Sequence, residues 1–157
     1  MSSKIDVSAL TQVADQLASY SGRKALNTEK LTRTVAVSML TVISRRIFMQ
    51  GLNANGQRIG TYNPDYYKQR LKKYGRSNKN ITFIASGHMA NDFSTGVTPT
   101  KDGYGMGFAE NADDGLSHYQ LAGFLEERFG FVWSVTAQEE EQAFDIAEQF
   151  IYDSFKA

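Results

Sequence analysis

Two adjacent rows of apolar side chains over residues 29–50 constrain this chain more than any other feature. Leu31, Val35, Met39 and Val42 form one row, and Ala36, Leu40, Ile43 and Ile47 form the row beside it. Rows at three- and four-residue steps predict a helix, and two together give it a broad apolar face that belongs at the centre of a core. Asn27 or Thr28 suits its N-cap, and Gly51 ends it. Arg45 and Arg46 favour the negative pole of the helix dipole. A chain of 157 residues fits one domain. That length buries roughly 70% of its unfolded surface, enough to enclose such a helix.

The flanking segments complete an α+β pattern. Leu10, Val13, Ala14 and Leu17 predict an amphipathic helix over 6–20, broken at Ser21-Gly22. After the main helix comes a Gly/Asn-rich loop, 51–61, with a turn at Asn55-Gly56. Asn63 and Pro64 predict the start of a short helix reaching Tyr74 and ending at Gly75. Strands are predicted at 81–85, 93–98 and 104–109, the last two joined by Lys101-Asp102-Gly103. Gly103, Gly105 and Gly107 share one face of their strand, which suggests a backbone passing close by. A helix over 113–126 and a strand over 129–135 follow. Thr136 and Glu139 form a capping box that opens a last helix with Ala143, Phe144, Ala147, Phe150, Ile151 and Phe155 on one face. The expected fold is a small, mostly antiparallel sheet packed against the long central helix and the C-terminal helix, with an extra N-terminal helix.

Charge is balanced overall, with 17 acidic and 17 basic residues, but it is unevenly placed. Between 45 and 79 lie Arg45, Arg46, Arg58, Lys68, Arg70, Lys72, Lys73, Arg76 and Lys79 against Asp65 alone. From Glu110 onward acids dominate. Opposite-signed patches of this kind steer association. The chain has no cysteine, which excludes disulfides and thiolate chemistry and suits a reducing cytoplasm. The N-terminus lacks the zones of a signal peptide. The longest apolar run, 35–43, is too short to span a bilayer, so the chain reads as soluble with no membrane partner.

Candidate chemistry is sparse. Asp113, Asp114 and His118 carry ligand-type groups, but acidic turns before helices are common decoration. Ser86-Gly87-His88 lacks a nucleophile elbow and reads as a structural turn. Glu126 and Glu127 are neighbours that diverge on a helix, whereas glycoside hydrolysis needs facing carboxylates. The glycines around 103–107 read G-Y-G-M-G, the wrong spacing for a dinucleotide fingerprint. The expectation is therefore no catalytic residue, no metal and no cofactor. The stretch 66–79, YYKQRLKKYGRSNK, admits three readings: a grip on nucleic acid, a solvated helix, or a protein–protein edge facing an acidic neighbour.

Taken in order, these pieces resemble the tail-completion and head–tail joining (neck, virion morphogenesis) proteins of tailed bacteriophages. The resemblance rests on a long helix ending Arg45-Arg46-Ile47-Phe48, the Asn-Gly turn, Tyr62 and the basic helix 66–74. It continues through Ile84-Ala85-Ser86-Gly87-His88-Met89, Tyr119 with Gly123, Arg128-Phe129, and Thr136 with its Glu run. It covers roughly residues 29–155, making 28–157 the core of a single domain and 1–27 a helical extension. The usual Pro-Arg before the last strand appears here as Glu127-Arg128.

The resemblance implies a structural virion protein, not an enzyme, made in the host bacterial cytoplasm and placed at the head–tail junction. It implies a homo-oligomeric ring, six- or twelve-fold, that meets neck, portal-adaptor and tail proteins. DNA would pass passively through the lumen. Arg58, Tyr62, Tyr66, Tyr67, Arg70, Lys73, Tyr74 and Arg76 are then the expected subunit or neighbour interface. Glu126, Glu127, Glu139 and Glu140 are the expected acidic lumen lining, while Asn55, Gly56, Ser86 and Gly87 serve as structural turns. The alternative is a small nucleic-acid-binding protein that uses 66–79.

Overall fold

A computed structural model describes residues 26–101, 103–108, 112, 113 and 115–156. The predicted helix over 6–20 lies outside the described residues. The rest is α+β, as expected.

Helix α1 spans Thr28–Ser44, and Asn27 caps it by accepting a hydrogen bond from the Lys30 amide. Both apolar rows are used: Leu31, Val35, Ala36, Met39, Leu40 and Ile43 are buried. The helix then widens into a π-helical segment, Arg45–Gln50. Its extra residue per turn lets three consecutive side chains, Arg46, Ile47 and Phe48, turn inward. Gly51 closes it in the left-handed conformation at φ 68°. A Cβ there would lie 2.5 Å from the Ile81 carbonyl oxygen, so both conformation and space require glycine.

Helix α2 spans Pro64–Tyr74 and helix α3 His88–Thr95. Strands β1 (Val97–Thr100) and β2 (Gly103–Met106) pair antiparallel, Val97 opposite Met106. A two-residue pair, β3 (Ala112–Asp113) with β4 (Leu116–Ser117), leads into helix α4, His118–Phe129. The last helix, α5, spans Ala137–Lys156. Its Ala143 and Ala147 are buried, and the small side chains let α5 pack closely along α1. The β1–β2 hairpin packs on α1 as well.

Three strand expectations are corrected. Residues 81–85 are not a strand: Phe83 has φ +53°, which breaks extended backbone. That conformation turns its ring onto Phe129 and Trp133, at 5.6 and 5.9 Å. Residues 88–95 are helical, so β1 begins only at Val97. Residues 129–135 show no ladder either. Val132 and Trp133 are both buried while Phe131 is 70% exposed, so the expected alternation fails. The predicted 113–126 helix begins later, at His118, where Ser117 and Gln120 form a capping box. The close backbone expected near the glycine face comes at Gly107, against Gly96. Gly107 N–H donates to the Gly96 carbonyl, and a Cβ on Gly96 would lie 1.5 Å from the Gly107 oxygen.

Behind the helices, Phe48, Phe93, Phe108 and Trp133 meet at ring distances of 5.1–5.9 Å. Trp133 Nε1 donates to the Ala122 carbonyl, which ties α4 to this cluster. No helix among the described residues is long and apolar enough to cross a membrane.

Candidate interface surface

The stretch 51–86 leaves the core and returns to it. Its base is narrow: the Tyr62 amide donates to the Lys79 carbonyl, and Ile81 to Gly60. Before it, Asn53 organises the predicted Asn55-Gly56 turn, its side-chain oxygen accepting from the amides of Asn55 and Gln57. Between these points stands α2. It is specified almost wholly by local signals. Asn63 accepts from the Asp65 amide, Pro64 occupies the first turn, and Gly75 takes the left-handed cap. Lys72 and Lys73 sit at its negative pole.

Arg70 is the anchor of α2 and the only buried residue on it. It is 1% exposed, so its place among the expected interface residues is corrected. Its guanidinium donates to the Asn78 and Ile84 carbonyls and stacks 4.0 Å from the Tyr62 ring centroid. The planar fork reaches carbonyls on both sides, which the point charge of lysine cannot do. Tyr62 and Tyr67 also face inward: Tyr62 Oη accepts from the Thr82 amide, and Tyr67 Oη donates to the Ser77 carbonyl. Arg58 is exposed and donates to the Asn80 side chain.

Tyr66, Lys73, Tyr74 and Arg76 lie at the surface. Within the basic stretch 66–79, Lys68 and Lys72 lie opposite Arg70 and, with Leu71 beside them, form the exposed stripe of α2. Lys68 meets Asp65 at 3.7 Å in a pair almost fully exposed to solvent, which holds neither side chain firmly. Burial, and next to it Tyr62, pushes the Tyr66 phenol above its ordinary pKa.

The acidic half divides differently from expectation. Glu127 and Glu140 are exposed and Glu126 is half-buried. Glu139 is 3% exposed, which removes it from any lumen lining. One of its oxygens accepts from Arg46 Nε at 2.7 Å and the other from the Thr136 amide. Arg46 also donates to the carbonyls of Leu52, Val132 and Ser134. The Val132 and Ser134 carbonyls are acceptors that a neighbouring strand would otherwise fill, so a guanidinium stands in for a sheet partner beside 129–135. A signal for this exists in the sequence, because Arg46 follows Val42 and Ile43 in phase with the apolar rows.

A second buried polar pair was missed. His118 Nδ1 lies 2.9 Å from Asp92 Oδ2, joining α4 to α3. His118 therefore belongs to a core contact rather than to the acidic turn before it. Asp114 and the side chain of Asp113 lie outside the described residues. Ser86 and Gly87 form the turn that starts α3, the Ser86 hydroxyl accepting from the His88 amide at 3.4 Å. Among the described residues, no group of three or more acids or histidines is placed to hold a metal ion.

On α5, the face turned from α1 carries Glu141, Phe144, Asp145, Glu148 and Tyr152, all exposed. Asp145, Glu148, Gln149 and Tyr152 line a shallow open depression there. Comparison with protein-family models, with curated proteins and with solved structures found no match.

Proposed function

We propose that this chain is a structural, non-catalytic ring subunit of a tailed phage. Its place is the head–tail junction, as a neck, tail-completion or tail-terminator protein. One observation carries the reading: α2 is built, capped and anchored without burying an apolar face. An isolated helix of this length is marginal in water. A chain that spends Asn63, Pro64, Arg70 and Gly75 on holding one out presents it to something else. Opposed basic and acidic surfaces on different elements suit heterologous contacts, which close into rings. In such a ring Glu127 and Glu140, with half-buried Glu126, remain the candidates for a lumen that repels phosphate and lets DNA slide.

Native mass spectrometry of the purified chain tests this, with electron microscopy of the particle. The expected species is one closed ring of six or twelve copies, placed between head and tail. A monomer at every concentration, alone and with virion components, overturns it.

The exposed Lys68, Lys72 and Arg76 favour one second reading, a grip on nucleic acid by 66–79. Filter binding with a salt titration tests it: steep salt dependence with a monomeric protein would replace the ring.

A further inference from the structure

Two exposed helix stripes on one chain match each other in repeat and oppose each other in charge. On α2 the stripe is Lys68, Leu71 and Lys72, the two lysines opposite the buried Arg70 and Leu71 beside them. On α5 it is Glu141, Phe144, Asp145, Glu148 and Tyr152, opposite the buried Ala143 and Ala147. Both repeat at three- and four-residue steps, so each presents one charged position per turn along a helix edge. Both also carry exposed apolar groups: Leu71 on one, and Phe144 and Tyr152 on the other.

Within one chain the stripes do not satisfy each other. Among the described residues, α5 packs along α1, and no other element packs extensively on α2. Among the described residues, Asp145 and Glu148 take part in no ion pair.

We propose that α2 of one copy docks on the outer face of α5 of the next, Lys68 and Lys72 meeting Asp145 and Glu148 around Leu71 and Tyr152. This rests on the ring reading above and names the contact that builds it. The two surfaces are different, so the contact is head-to-tail and each copy keeps a free end until the ring closes. Exposed ion pairs contribute little each and mainly fix register. The apolar groups add to the affinity, with Leu71 covered by the aromatic edge of the partner helix.

Charge reversal tests the contact, read by sedimentation velocity. Lys68→Glu with Lys72→Glu is expected to weaken self-association by about tenfold or more, because like charges then meet. Asp145→Lys with Glu148→Lys is expected to do the same, and all four changes in one chain to restore assembly. Restoration distinguishes a lost contact from a misfolded variant. The chain has no cysteine, so Lys72→Cys and Glu148→Cys provide a second readout. Mixed and oxidised, the two variants are expected to give a mixed disulfide dimer in preference to either homodimer. Assembly that survives both reversals, with no mixed dimer, overturns this contact and leaves the ring standing. A strictly monomeric wild type overturns both. Loss of DNA retention on α2 reversal, with self-association unchanged, overturns the contact in favour of nucleic acid.

Discussion

Arg46 and Glu139 are residues whose single loss the fold tolerates poorly. Their pair is buried on both sides, and Arg46 also holds three backbone carbonyls. Removing one partner leaves a buried charge uncompensated. Glu139→Ala is expected to cost about 3–5 kcal/mol, read from the denaturant midpoint. Replacing both partners with apolar residues is expected to cost less than the sum of the single changes, although the Val132 and Ser134 carbonyls then lose their donor. Tyr66 gives a smaller effect with a definite sign. Its pKa is raised in the folded chain, so its contribution is fully present below the ordinary tyrosine value of about 10 and is lost as pH rises through the raised one. Thermal melts at successive pH values from about 10 upward are expected to fall more steeply for wild type than for Tyr66→Phe. The difference is small, because Tyr66 is 44% exposed.

At the scale of elements, α2 and the β1–β2 hairpin fail in opposite ways. α2 hangs on Arg70, so Arg70→Lys is expected to free the segment 64–80 without unfolding the core. Hydrogen exchange checks this: α2 amides lose protection while those of α1 keep theirs. The hairpin instead is fixed by contact of backbone with backbone. Gly96→Ala drives a Cβ into the Gly107 carbonyl and is expected to cost on the order of 3 kcal/mol globally, again by denaturant midpoint. Phe83 is an intermediate case. Its positive φ is held in place by ring packing on Phe129 and Trp133, so backbone strain there is offset by the aromatic core.

Across the whole molecule, net charge is zero but its distribution is not. The basic arm 64–79 and the outer face of α5 carry opposite signs on separate elements. Assembly through them is expected to weaken as salt rises from about 0.05 to 0.5 M, since screening shortens to a few ångströms over that range. Light scattering across such a series checks it. A contact dominated by apolar burial alone would hold or tighten instead.

The sequence alone determined the parts whose signals are local. The paired rows of 29–50, the Asn63-Pro64 start, the Gly75 stop and the Thr136–Glu139 box each appear where their residues place them. Caps and periodicities depend on neighbours a few residues away, so they are legible without the fold. Only the tertiary structure decided the fate of 81–85, 93–98 and 129–135, and which charges face water. Extended-looking segments become strands only where another backbone is at hand to pair with. Here Arg46 took that place beside 129–135, and the aromatic cluster turned Phe83 out of line. Arg70 and Glu139 read as surface charges because a sequence does not show which distant carbonyls and cations will surround a side chain. Burial is a property of the packed chain, and it took both from the surface they were assigned to.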